Sequence, residues 1–202
     1  MMTGLRGGGL DGLPFCRAPL GVVMKQLLVA AGWIDRVTDF FAFIAKWAVL
    51  LCAVVSAGNA VMRYVFSYST NGWLEIQWYF FAACVMLGAA QVLRVNEHVR
   101  VDVIYGTLKP RSRAYIDLFG LIFFLMPAMV LFFYLSWPLF VQMFISGEGS
   151  PNAGGLTRWP AMLTLPLGFG LMVLQGFAEI VKRVAWLMNV YQMDMHYERP
   201  LQ

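Results

Sequence analysis

The stretch LFGLIFFLMPAMVLFFYLSWPLFVQMFI, residues Leu118–Ile145, runs for 28 residues without a charged side chain. An α-helix needs about 20 apolar residues to cross the hydrocarbon core of a bilayer, so this run is long enough to span it and to tilt or project. It contains Pro127 and Pro138, which can kink a helix. The whole chain is 60% apolar and 13% charged, whereas a soluble domain carries about 25% charged residues. The composition predicts an integral membrane protein.

Three further uncharged runs resemble the first in composition. They are Trp47–Met62 with 16 residues, Ile76–Leu93 with 18 and Trp159–Ala178 with 20. The shortest run is flanked by Lys46 and Arg63, whose long stems can reach opposite headgroup layers and extend the usable length. We therefore predict an all-α membrane protein with four transmembrane helices, at about residues 45–66, 74–94, 117–145 and 159–181.

The basic residues are distributed unevenly between the two sides of these helices. Thirteen of the 15 Lys and Arg residues precede the first helix, lie between the second and third, or follow the fourth. Arg63 and Arg158 flank the loops on the other side. Because cytoplasmic loops carry the excess of basic residues, both termini and the central loop are predicted to be cytoplasmic. The basic residues lie between apolar blocks and form no stripe, so nucleic acid is not an expected partner.

The ends of the chain differ in composition from the four runs. Residues 1–23 are rich in Gly and Pro, which predicts a disordered N-terminal extension, and Met24 is an alternative translation start. In residues 24–45, charged residues alternate with aromatic and aliphatic ones, which predicts an amphipathic segment lying along the interface. Residues 46–188 then form the four-helix domain, and residues 189–202 form a cytoplasmic tail.

The central loop RVNEHVRVDV, Arg94–Val103, is the most highly charged part of the chain between two helices. His98 lies beside Glu97 and near Asp102, so a metal or acid–base site is conceivable. The only other histidine is His196, and no His or Cys spacing of metal-site type occurs. The alternatives are a solvated cluster that sets membrane orientation and a contact with another protein. We predict no catalytic, substrate-binding, metal or cofactor site.

Polar side chains within the predicted spans are few, and histidines that could hold a haem are absent from them. A chain that carried an organic ion alone would need charge or an interrupted helix near the midplane. Small residues instead favour close helix packing, within this bundle or against another subunit. They are Cys84, Gly88, Ala89, Gly168 and Gly176. Outside the membrane, Gly154, Gly155, Arg158 and Trp159 could anchor helix four at the interface or contact a partner.

The segment LGAAQVLRVNEHVRVDV, Leu87–Val103, resembles the small membrane subunit, the Q-type or DctQ-like subunit, of tripartite ATP-independent periplasmic (TRAP) transporters. The upstream WLEIQWYFF is similar to the acidic start of that family's second helix, with Glu75 in the acidic position. Many members have an acidic pair there, whereas Ile76 comes next here. Residues Gly154–Glu179 are similar to the last helix of a branch of the family. The resemblance extends over about Trp33–Met188.

This resemblance implies a scaffold subunit in the bacterial inner membrane. Its partners would be a large multi-span subunit that holds the substrate and sodium sites, and a periplasmic binding protein that delivers organic acids. Residues at the motif would dock to the partner or to lipid headgroups; they are Glu75, Arg94, His98, Arg100 and Asp102. The alternatives are a self-contained homo-oligomeric channel or transporter and, less supported by the residues, a subunit of a membrane enzyme.

Overall fold

The computed structural model describes residues 19–68, 70–95 and 108–192. They form four helices: α1 Pro19–Val65, α2 Asn71–Val95, α3 Pro110–Ser146 and α4 Trp159–Leu187. All four are long and apolar enough to cross a membrane. The prediction of an all-α protein with four spans is therefore confirmed. Residues 1–18, 69, 96–107 and 193–202 lie outside the described part of the chain.

Helix α1 is much longer than a membrane span requires. Its 47 residues correspond to about 70 Å at 1.5 Å per residue, against about 30 Å for the hydrocarbon core. The segment 24–45, predicted to be a separate interfacial element, is continuous with the first span, and residues 19–23 already belong to the helix. One face of this half is buried and lined by small residues: Ala31, Thr38, Ala42 and Ala45. Their spacing of three, four and seven residues places them on one stripe.

Helix α3 is a single helix built from two α-helical parts, Pro110–Gly120 and Met126–Ser146, joined by the π-helical segment Leu121–Leu125. Pro110 suits the first turn of the helix. A backbone N–H at that position has no hydrogen-bond partner within the helix, so proline loses no bond by lacking it. Pro127 follows the π-helical segment, and a wide turn accommodates a residue that cannot donate to the carbonyl four positions earlier. Gly147 ends the helix at φ +61°, a left-handed conformation that glycine adopts without strain.

The helices form an up-and-down bundle in which α4 contacts each of the other three. Helix α2 also packs along α1. The apolar centre joins Ala45 of α1, Leu87 and Ala90 of α2, and Leu171 of α4. In the most apolar 18-residue stretch of α3 only 6% of the residues are buried, whereas 33% are buried in the corresponding stretch of α4. Helix α3 therefore presents most of its surface outward, to lipid or to a partner.

Candidate functional site

Polar side chains gather at the two opposite ends of the bundle. One end combines the first half of α1, the end of α2, the start of α3 and the end of α4. We call its polar residues the charged cluster: Asp35, Thr38, Asp39, Arg94, Asp117, Gln175, Glu179, Lys182 and Arg183. The other end carries a group around Glu75, described below. Because consecutive helices cross the membrane in opposite directions, the polar residues at one end of the bundle all lie on the same side of the membrane.

Lys182 lies at the centre of the charged cluster, between α1 and its own helix. Its Nζ atom is 2.7 Å from Oδ1 of Asp35 and 3.0 Å from Oε1 of Glu179. The Nε2 atom of Gln175 donates to both of these carboxylates, at 3.0 and 3.3 Å. Thr38, which is 1% exposed, donates to Oε1 of Gln175 at 2.8 Å. These contacts fasten the first half of α1 to α4.

Two arginines extend the charged cluster to the remaining helices. Nη1 of Arg183 lies 2.5 Å from Oε2 of Glu179, and its Nε lies 3.6 Å from Oδ2 of Asp117 at the start of α3. On α2, Arg94 pairs with the Asp39 carboxylate and donates to the backbone carbonyl of Asp35 at 3.1 Å. The charged cluster thus touches all four helices.

The charged cluster matters for the stability of the bundle because several of its side chains are buried. Glu179 is 3% exposed and Arg183 is 4% exposed. Charges taken out of water must be paired and hydrogen-bonded, and removing one partner from such a pair costs about 3–5 kcal/mol. Ionisable residues within membrane helices often mark a solute pathway, but these groups are bound to one another. The arrangement can hold helices together, and within the described residues it leaves no group of three or more His, Cys, Asp or Glu for a metal.

Sequence reasoning did not identify this cluster. The distribution of basic residues assigns Lys182 and Arg183 to the cytoplasmic side, and Glu179 directly follows the uncharged run Trp159–Ala178. A spacing signal was present, because residues 175, 179, 182 and 183 share one face of α4, as residues 35, 38 and 39 share one face of α1. Nothing local indicated that α1 would cover the end of α4, since those contacts join positions up to 147 residues apart.

At the opposite end, Glu75 anchors the loop between α3 and α4. Its carboxylate accepts hydrogen bonds from the Ser150 hydroxyl, from Nδ2 of Asn152 at 3.0 Å and from the N–H of Leu156 at 2.7 Å. Glu75 is 4% exposed. We call Glu75, Ser150, Asn152 and Leu156 the loop anchor. Two more bonds from α2 support it: Tyr79 donates to the Thr157 carbonyl, and Asn71 donates to that of Ala153.

The glycines predicted at this end are required by the loop anchor. A Cβ atom on Gly155 would lie 2.5 Å from Cβ of Ser150 and 2.8 Å from Oε1 of Glu75, so no side chain fits there. Gly154 has φ +72°, which favours glycine. Arg158 pairs with Glu148 at 3.3 Å, and Trp159 packs edge-on against Phe144 of α3 with ring centroids 5.5 Å apart. The four outer residues thus shape the loop and the start of α4.

Three of the five predicted packing residues, all of them glycines, make close contacts between helices of this chain. A Cβ on Gly168 would lie 2.7 Å from Cβ of Met86, so α4 and α2 touch there. A Cβ on Gly176 would lie 2.9 Å from Sδ of Met126 in α3, and Gly88 faces Ala45 of α1. Cys84 and Ala89 line a groove of about 710 Å³ between α1 and α2.

The residues predicted to dock to a partner or to headgroups are only partly described. The Glu75 carboxylate is bound by the loop anchor, and Arg94 is paired with α1, so both are engaged within the chain. They lie at opposite ends of α2. His98, Arg100 and Asp102 lie outside the described residues. The structure therefore separates Glu75 from Arg94, the other described residue of the predicted docking set.

Comparison with known proteins adds one match. The model of a family described as "Tripartite ATP-independent periplasmic transporters, DctQ component" matches residues 51–185. The matched region contains the loop anchor and the α4 half of the charged cluster, and it begins after Asp35, Thr38 and Asp39. No curated protein and no solved structure matches the chain.

Proposed function

The chain belongs to the DctQ family of tripartite ATP-independent periplasmic transporter components, and we propose that it is the scaffold subunit of a secondary, sodium-coupled importer of organic acids. It is a transporter component and not an enzyme. In this proposal a large multi-span membrane subunit holds the substrate and the sodium ions. A periplasmic binding protein delivers a carboxylate, keto acid or sugar acid.

The observation that carries the scaffold role is the internal pairing of the buried charges. Lys182 is bound between Asp35 and Glu179, and the Glu75 carboxylate is bound by its own loop. A carrier of organic anions needs polar groups that can exchange the substrate for water, whereas these groups already bind one another. A bundle cross-linked at both ends is suited to resist deformation. It would serve as the fixed body against which a larger subunit moves.

The exposed apolar surface supports a large membrane partner as well as lipid. Side chains such as Phe123, Phe124 and Tyr134 of α3 are 63%, 68% and 72% exposed. Helix α3 packs on α4 through aromatic contacts such as Phe132 against Phe169, with ring centroids 5.4 Å apart. Its remaining faces are free to meet a neighbour. Apolar surface of this extent is suited to hydrocarbon or to another transmembrane helix.

The two ends of the bundle have different roles in the proposal. We place the charged cluster on the cytoplasmic side, because the excess of basic residues lies at that end. The central loop with His98, Arg100 and Asp102 would dock there to the large subunit or to anionic headgroups. In a bacterial inner membrane the loop anchor would then lie on the periplasmic side. There it would hold residues 147–158 in a fixed shape for the binding protein.

Purification of the tagged chain from native membranes tests the proposed assembly. The expected result is a stoichiometric complex with one large polytopic membrane protein. In lipid vesicles, that complex with its binding protein should accumulate an organic acid when a sodium gradient is imposed, and omission of sodium should abolish uptake. Uptake by vesicles that contain this chain alone would contradict the scaffold role and favour a self-contained homo-oligomeric transporter.

A further inference from the structure

A second cavity, of about 370 Å³, lies between the last turns of α1 and the start of α2. Its walls include Val54 and Met62 of α1, Trp73 of α2 and Tyr68 of the connecting segment. The amide side chain of Asn59 also lines it. Asn59 is 9% exposed, and its Oδ1 atom is buried without a hydrogen-bond partner. The cavity therefore combines mostly apolar walls with an amide whose oxygen has no hydrogen-bond partner.

An unsatisfied buried amide is unfavourable in this chain considered alone. Burying a polar group without a partner costs roughly 1–3 kcal/mol in proteins. Asn in a transmembrane helix ordinarily satisfies its amide across a helix interface. The oxygen and nitrogen of the amide exchange by a half-turn about χ2, so Asn59 can offer either an acceptor or a donor to the cavity. The cavity is complementary to an apolar side chain that ends in a hydroxyl, an amide or an N–H group.

The surface beside the cavity is suited to a neighbouring helix. The sequence Ser56-Ala57-Gly58-Asn59-Ala60 is a run of small residues on α1. A Cβ atom on Gly58 would meet nothing within 4 Å, and Val54 and Val61 are 60% and 56% exposed. Small residues let a second backbone approach closely in a membrane. The open strip and the unsatisfied amide are independent observations that indicate the same occupant.

We propose that the Asn59 cavity receives a hydrogen-bonding side chain from a transmembrane helix of the large subunit. This inference rests on the proposed function, since it assigns a contact surface to that partner. A lipid acyl chain would fill the apolar walls but leave the amide unpaired. A second copy of this chain is the competing occupant, which cross-linking distinguishes from the large subunit.

Cross-linking from the rim of the cavity tests the identity of the occupant. A photoreactive amino acid is placed at Met62. For comparison, a second preparation carries it at Trp33, an exposed position on the first half of α1. Irradiation of native membranes should give an adduct of the Met62 probe with the large subunit. An adduct with a second copy of this chain, or with lipid alone, would overturn the proposal.

Substitution of Asn59 tests the hydrogen bond itself. Interhelical hydrogen bonds in membranes correspond to roughly threefold in an association constant on average, and up to about 20-fold. We expect Asn59→Leu to reduce the large subunit recovered with the tagged chain by a factor in this range, while the isolated chain stays at least as resistant to heat. Thr164→Val is the matched control, because the Thr164 hydroxyl donates to the Ala161 carbonyl of its own helix.

Added bulk on the open strip provides a second, independent variant. Gly58→Leu should reduce recovery of the large subunit, whereas Gly32→Leu, at another α1 glycine whose Cβ would also meet nothing within 4 Å, should leave it unchanged. If both Asn59→Leu and Gly58→Leu retain the large subunit at the wild-type level, this docking surface is wrong but the proposed function stands. Failure of the wild-type chain to retain a large subunit would overturn both.

Discussion

Glu75, near the start of α2, accepts a hydrogen bond at 2.7 Å from the backbone N–H of Leu156, which lies 81 positions later in the sequence. The same carboxylate accepts from Ser150 and Asn152. One side chain therefore fixes three points of the loop between α3 and α4. A loop held in this way keeps its shape although it contains several glycines.

Replacing Glu75 with Gln should release this loop. An amide has one acceptor oxygen where the carboxylate has two, and its NH₂ group would face donors of the loop. We expect proteases added from the outer side to cleave within residues 147–158 faster in Glu75→Gln than in the wild type. Glu148→Gln is the control, because that carboxylate is half exposed and its ion pair with Arg158 lies at the surface, where such a pair contributes little to stability. Equal cleavage of the two variants would show that Glu75 does not order the loop.

Removal of Lys182 should destabilise the bundle strongly. Lys182→Met leaves the carboxylates of Asp35 and Glu179 close together without their shared cation, so we expect the free energy of unfolding to fall by about 3–5 kcal/mol. Unfolding in detergent micelles measures the change, with the exposed Lys46→Met as control. Adding Asp35→Asn to Lys182→Met should restore part of the loss. Strict additivity of the two single changes would contradict a direct interaction.

The hydroxyl of Thr38 should contribute a smaller but measurable amount. Thr38→Val keeps the shape of the side chain and leaves Oε1 of Gln175 without this donor, which predicts a loss of about 1–2 kcal/mol. Thr164→Val should cost less, since Thr164 bonds to the backbone of its own helix. Equilibrium unfolding of the two variants gives the comparison, and equal losses would remove the special role of the Thr38–Gln175 bond.

Close contact between α2 and α4 requires glycine at position 168. In Gly168→Ala the new Cβ would lie 2.7 Å from Cβ of Met86 and 2.8 Å from its carbonyl oxygen. The helices must then separate, which we expect to cost about 1–3 kcal/mol. Gly120→Ala is the matched control, because a Cβ there meets nothing within 4 Å and alanine favours a helix. A Gly168→Ala protein with wild-type unfolding would show that the helices can adjust.

Much of the fold could be predicted from the sequence because its causes are local. The uncharged run Leu118–Ile145 is sufficient to define a span, and Gly147 marks where α3 ends. The charged cluster could not be predicted in the same way. Counting Lys182 and Arg183 assigns a side of the membrane to the end of α4, but it does not show that α1 covers them. That depends on α1 continuing as one helix through residues 24–45.

The candidate site was predictable only where the chain resembled its family. The resemblance singled out Glu75, but its partners lie in a loop that sequence spacing does not connect to α2. Small residues such as Gly168 and Gly176 were expected to pack, yet their partners Met86 and Met126 follow from the three-dimensional arrangement. Asn59 was one of several polar residues in the spans, and its lack of a partner is visible only when its surroundings are known.

The π-helical segment Leu121–Leu125 affects how relatives of this chain should be aligned. A π-helical turn contains an additional residue, which rotates everything after it by about 100° relative to an unbroken α-helix. Asp117 and Ser136 lie before and after this turn. A helix face extended from Asp117 at regular α-helical spacing therefore does not include Ser136. A relative without the wide turn should align with a gap of one residue within 121–125, and should then present the same side chains on the same faces.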